Sequence, residues 1–250
     1  LNVYLFEHTF PSAREYVVSF IGENRNDGIR NMTDSNNQSF YISTRIRIDP
    51  ALGLNRSPVL NAPAFDKAGT GQVFLHNPAG SDADGDSLAY KLTYCQQVPR
   101  GLAGTLISGG GTNRPAPQPC TNYKYPNDPS ITGAANPVQV PYNGVPAWVP
   151  GGAAAIFVQD VVTGQITWNA PVLAGFYNIA FVVEEWRRSA SGIRKIGEVI
   201  RDMQIIVRPT LNLRPELTVP ADLCVVAGQT VRGTVTAVDG TARLDTRDRK

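Results

Sequence analysis

Histidine, cysteine and methionine are scarce, at 2, 3 and 2 in 250 residues. The histidines, His8 and His76, stand far apart and neither lies beside a nucleophile motif. No GxSxG elbow, HExxH pair or phosphate-binding loop occurs, and Gly109-Gly110-Gly111 lacks the Lys-Ser/Thr of a phosphate cradle. Cys95, Cys120 and Cys224 form no CxxC and no Cys/His zinc spacing. No apolar run approaches the roughly 18 residues that cross a bilayer as a helix. Charge of one sign is missing too. Lys+Arg 23 against Asp+Glu 21 leave +2, too little to draw nucleic acid or an anionic membrane. The chain therefore reads as non-enzymatic. Paired acids for glycoside hydrolysis, whose spacing is spatial, are the one catalytic arrangement these absences leave open.

What is abundant is turn chemistry. Gly 23 and Pro 19 beside only 18% charged residues suit many short strands better than a helical bundle. Period-two alternation puts Tyr177, Ile179, Phe181 and Val183 on one face, and Ile205 with Val207 on another. Segments 17–21 and 40–48 carry comparable signals. No stretch keeps helical spacing for three turns, so the expectation is an all-β protein of antiparallel, half-buried strands. The opening Leu1-Asn2-Val3-Tyr4-Leu5-Phe6 lacks a methionine and is already patterned as a strand, which reads as an internal piece of a longer protein.

An internal repeat organises the chain. Tyr16, Phe20 and Glu23 recur as Tyr177, Phe181 and Glu184 at a shift of 161, and proline follows each unit at Pro50 and Pro209. A second pairing carries Pro58, Leu60, Pro63, Ala64, Gly71, Gln72 and Asp82 onto Pro215, Leu217, Pro220, Ala221, Gly228, Gln229 and Asp239 at a constant shift of 157. The expected organisation is the end of one module (1–50), a whole module (51–208) and the start of a third (209–250). Each module would be a two-sheet sandwich with Greek-key connections. Trp168 is expected in its core, and Tyr177 and Tyr16 are expected as tyrosine corners, each tying down the loop before its strand.

The stretch Ser81-Asp82-Ala83-Asp84-Gly85-Asp86-Ser87-Leu88-Ala89-Tyr90 holds three carboxylates at alternate positions around a glycine. Calcium takes six to eight oxygens in irregular geometry, and Asp82, Asp84 and Asp86 can converge on one ion. No glutamate at a twelfth position and no flanking helix makes it an EF-hand. A polar turn is the plain alternative, but three close carboxylates repel without a cation. Glu184 and Asp202 are secondary candidates for the ion, whereas Glu185 is expected to pair with Arg187, Arg188 or Arg201. Cys95 and Cys120 flank a proline-rich loop and form either one disulfide or two unpaired thiols, with Cys224 left over. Between Cys95 and Trp148 lies a long Pro, Gly and Asn-rich insertion. Its aromatics Tyr123, Tyr125, Tyr142 and Trp148 make either a ligand platform or a cover over a sheet edge. Triplets of N-glycosylation form begin at Asn31, Asn37 and Asn55.

The segments "ENRNDGI", "NRSPVLNAPAFDKAGTGQVFLHNPAGSDADGDSLAYKLTYC" and "GFYNIAFVVEEWR…IGEVIRDMQIIV" together resemble the repeat regions of large secreted or surface proteins of Bacteroidetes. Many of those carry a gliding-motility-associated sorting domain of the type IX secretion pathway, and their modules resemble Ig-like and cadherin-like sandwiches. The D-x-D-G-D turn followed by Leu88-Ala89-Tyr90 is similar to that of cadherin-like bacterial repeats. The resemblance implies an extracellular or outer-surface location and a structural or adhesive role with bound calcium. Partners would be other modules of the same chain and a cell-surface protein or glycan. The competing expectation is a carbohydrate-binding module of a secreted hydrolase, reading its ligand with Tyr142 and Trp148.

Overall fold

The computed structural model describes residues 5–99, 116–131, 155–190, 192–210 and 216–238. Strand accounts for 45% and helix for 5%, so the all-β expectation holds. In chain order the strands are β1 (Glu15–Gly22), β2 (Phe40–Arg47), β3 (Val59–Leu60), β4 (Phe65–Gly69), β5 (Phe74–His76), β6 (Gly80–Ser81) and β7 (Ser87–Thr93). Then come β8 (Gln96–Gln97), β9 (Gln118–Pro119), β10 (Ile156–Gln159), β11 (Ile166–Asn169), β12 (Gly175–Ser189), β13 (Gly192–Arg208), β14 (Glu216–Thr218) and β15 (Thr236–Val238).

The long hairpin β12–β13 is the spine. On one side β7 pairs antiparallel with β12, and on the other β13 pairs with β2 at residues 197–199 and, in parallel, with β4 at 204–208. A smaller sheet runs β10-β11-β5. The hydrophobic core lies between the two, which makes the unit sandwich-like. Phe74, Phe157, Ile166 and Trp168 come from the smaller sheet, and Tyr90, Tyr177, Ile179, Phe181, Val183, Met203, Ile205 and Val207 from the larger. Period two explains why. Residues 177, 179, 181 and 183 fall on one face of β12, and all are 1% exposed or less. Each such side chain contributes about 1.5–3 kcal/mol of burial, which sets the register because a one-residue slip would turn the whole row to water.

Both expected tyrosine corners are present. Tyr177 Oη donates to the Leu173 carbonyl at 2.9 Å and Tyr16 Oη to the Ser12 carbonyl at 2.8 Å, each four residues back. The shift of 157 is also visible in the backbone. β3 pairs with β6 as Val59↔Ser81 and Leu60↔Gly80, while β14 pairs with β15 as Glu216↔Val238 and Leu217↔Ala237. The turns match as well: Gln72 N–H donates to the Gly69 carbonyl and Gln229 N–H to the Val226 carbonyl, around left-handed Gly71 and Gly228.

Residues before Pro50 are stitched into the central unit. Arg25 reaches the Asp202 carboxylate at 3.1 and 2.7 Å with both side chains 1% exposed, and also donates to the Ser39 and Gln96 carbonyls. Asn31 bonds Asn178 through its amide nitrogen to the carbonyl (2.7 Å) and through its oxygen to the N–H (2.9 Å). Segment 23–40 therefore covers the outer face of β12 and β13.

Candidate cation site at an acidic turn

Asp82, Asp84 and Asp86 form the turn between β6 and β7. Asp82 Oδ1 accepts the N–H groups of Asp84 (2.8 Å) and Asp86 (3.0 Å), folding the backbone around its own carboxylate. Gly85 takes the left-handed conformation at φ +80° that this bend requires. As a result, one oxygen from each aspartate lies within 4.8 Å of the others. Oxygens that close can share one hard cation.

Two arginines hold the outer aspartates. Arg56 clasps Asp84 through Nε (2.9 Å), Nη2 (2.6 Å) and its own backbone N–H (2.6 Å), holding that carboxyl below the usual range. Arg187 on β12 clasps Asp86 through Nε (2.9 Å) and Nη2 (2.5 Å). The same guanidinium donates to the carbonyls of Leu52 (2.8 Å) and Leu54 (2.9 Å) and to Asn55 Oδ1 (2.7 Å). The connection after Pro50 is thus tied to the acidic turn through one side chain.

Behind this outer ring lies Glu185, 0% exposed. Its Oε2 accepts from Asn55 Nδ2 at 3.0 Å, while its Oε1 and the buried Asp82 Oδ2 have no hydrogen-bond donor. Burial pushes the Glu185 carboxyl up to about 7, with Asp82 and Asp86 adding to the rise and Asn55 opposing it. Gly197, opposite Glu185 in the β12–β13 ladder, makes room for it, since a Cβ there would lie 2.0 Å from Glu185 Oε2. With Glu185 ionised, four carboxylates and two guanidinium ions leave two uncompensated negative charges, and the two unserved oxygens are where a cation would relieve them. The residues present fit a hard, oxygen-loving ion: Asp82, Asp84, Asp86 and Glu185 supply the donors.

The other candidates fall elsewhere. Glu184 points to the opposite face of β12, where Lys195 reaches it at 2.8 Å and lowers its carboxyl. Asp202 is the buried partner of Arg25. Burial raises its carboxyl against the pull of that arginine, and it is not part of the acidic turn. Glu185, expected to pair with an arginine, instead faces Asp82 and Asn55. The signal for it was in the pattern, because 185 continues the inward row 177, 179, 181, 183. Nothing in the sequence tied Asn55, Arg56 or Arg187 to the acidic turn.

Cys95 and Cys120 are free thiols here, both buried in one cluster with Ile29, Met32 and Ala180. Tyr123 packs against that cluster, and Tyr125 stacks on core Phe157 at 6.0 Å, so these two aromatics cover the sheet edge. Tyr142 and Trp148 lie outside the described residues. His76 Nδ1 sits 2.8 Å from Asp66 Oδ2, with no nucleophile motif beside the pair. No helix among the described residues is long and apolar enough to cross a membrane. Comparison with protein-family models, curated proteins and solved structures returns no match.

Proposed function

We propose that this chain is a non-enzymatic, extracellular structural and adhesive segment built of tandem Ig-like or cadherin-like sandwiches, with calcium bound at Asp82, Asp84 and Asp86 of the unit spanning 51–208. Glu185 joins those three as a fourth acidic ligand. The observation that carries the reading is the pair of buried, unserved oxygens, Asp82 Oδ2 and Glu185 Oε1, at the core of a turn already crowded with carboxylates. Neither oxygen meets a donor group among the described residues; a proton held between Glu185 and Asp82 relieves one charge, and a divalent ion is the group that would turn the repulsion of all four carboxylates into attraction. The position of the site supports a mechanical role. Arg187 links the turn to Leu52, Leu54 and Asn55, so an ion that rigidifies the turn also rigidifies the connection from β2 to β3. The matching hairpins and turns at a shift of 157 support the tandem organisation.

The test is a thermal melt of the full chain in EDTA and in millimolar calcium, with magnesium as control. Binding to the folded state alone raises stability by about 2.7 kcal/mol at a hundredfold excess over Kd, a shift of several degrees for a unit of this size. A calcium-specific rise that is lost in the triple Asp82→Asn, Asp84→Asn, Asp86→Asn variant supports the reading. An unchanged melt in calcium overturns it.

A further inference from the structure

The β8–β9 ladder pairs Gln96 with Pro119 and Gln97 with Gln118, so one step outward Cys95 stands opposite Cys120. The Cys120 N–H donates to the Cys95 carbonyl at 2.8 Å, which continues the ladder to this pair. Residues directly opposite share one face of the sheet. In a hydrogen-bonded pair their Cα atoms are about 5.5 Å apart, inside the roughly 4.4–6.8 Å that a disulfide spans. Both cysteines are buried, Cys95 at 0% and Cys120 at 3% exposed. Cys224, the third, is exposed and belongs to a different part of the chain.

We propose that Cys95 and Cys120 are joined in a structural disulfide when the chain folds in an oxidising compartment. The oxidant is a small-molecule or protein disulfide. One protein thiolate attacks it and releases the first reagent thiol, and the second protein thiolate then attacks the mixed disulfide and releases the other. Two S–H bonds are lost and one S–S bond is gained. The oxidant is reduced to two thiols, and the protein's two protons end on those thiols or in solvent. Once the chain is folded this exchange stalls, because burial raises the Cys120 thiol to about 11 and Cys95 well above its ordinary value. The bond therefore forms before segment 116–125 closes over the cluster, and it is a fixed staple. It pins the segment whose backbone meets the N-terminal clamp at Thr121–Thr33 and Lys124–Asn31. This inference is independent of the cation site.

The test refolds the full chain from the reduced, denatured state, once in a glutathione redox buffer and once in dithiothreitol. Each sample is then alkylated under denaturing conditions, weighed and digested. The expected result after oxidative refolding is one alkyl group, on Cys224, and a peptide cross-linked through Cys95 and Cys120. Reduced refolding should give three alkyl groups and a Tm lower by roughly 10 °C, from a closed loop of about 25 residues. The double variant Cys95→Ser, Cys120→Ser should melt at one temperature in both buffers. Three alkylated cysteines after oxidative refolding, or a cross-link through Cys224, overturns the proposal. A bond that brings no gain in Tm overturns the structural role.

Discussion

Replacing Glu185 with glutamine should strengthen the metal-free protein and abolish its gain from calcium. In the wild type a fully buried carboxylate points one oxygen at nothing but acidic neighbours, and burial pushes its carboxyl from 4.5 up to about 7. At 1.36 kcal/mol per tenfold, that gap is worth about 3 kcal/mol. The folded state holds this proton more tightly than the unfolded chain. Stability from this group is thus full below about pH 4.5, falls as pH rises and levels off above about 7. Glutamine carries no such proton. Its amide oxygen can accept from Asn55 Nδ2, as Glu185 Oε2 does at 3.0 Å, and its amide N–H can donate to Asp82 Oδ2. In EDTA at pH 8 the Glu185→Gln variant should exceed the wild type by as much as about 3 kcal/mol, and at pH 5 the two should converge. With calcium at a hundredfold excess over Kd the wild type gains about 2.7 kcal/mol and the variant does not, which closes the difference at pH 8. Urea unfolding followed by tryptophan fluorescence, with buried Trp168 as reporter, measures both proteins in all three conditions. A variant weaker than wild type in EDTA at pH 8, or one that keeps the calcium gain, refutes the reasoning.

Two further perturbations probe neighbouring parts. Gly197→Ala places a methyl against Glu185 Oε2 and should cost about 1–3 kcal/mol in a denaturant melt while weakening the calcium response; a full calcium response would show that Glu185 need not hold its place. Arg25→Met strips the buried Asp202 of its counterion and should cost about 3–5 kcal/mol. A double-mutant cycle with Asp202→Asn should recover part of that loss, with the Ser39 and Gln96 carbonyls still lacking their donor. Strictly additive losses would mean that the pair is not coupled.

The strands were legible because their faces differ in wetness. Tyr177, Ile179, Phe181 and Val183 each needed the core, and alternation alone placed them there. The tyrosine corners were legible because a tyrosine opening a strand has a nearby carbonyl to bind. The covering segment 23–40 was hidden. Its buried members include Arg25, Asn31, Ser35 and Gln38, residues whose sequence signature is that of a solvated loop. Their burial is made tolerable by partners up to 177 residues away, and no local pattern reports a long-range hydrogen bond. The same limit hid Arg56 and Arg187, whose partners lie 28 and 101 residues off.

Glu185 marks where pattern and chemistry disagree, and that disagreement locates the site. A row of four apolar residues pointing inward is followed, in phase, by a carboxylate, which a packed sandwich would not place there without a use for its charge. The repeat makes the same point by contrast. At a shift of 161 the residue equivalent to Glu185 is Asn24, and at a shift of 157 Asp84 and Asp86 become Thr241 and Arg243. Asp82 recurs as Asp239, but the hairpin and the left-handed turn recur without counterparts of Asp84 and Asp86, and the tyrosine corner recurs without one of Glu185, so the scaffold does not require those three acids. Among the described residues, the turn between β6 and β7 brings three aspartates together beside Glu185 of β12, with Arg56 and Arg187 binding the outer two. Those arginines neutralise Asp84 and Asp86 but cannot serve Asp82 Oδ2 or Glu185 Oε1, and this residual demand is what a cation would satisfy.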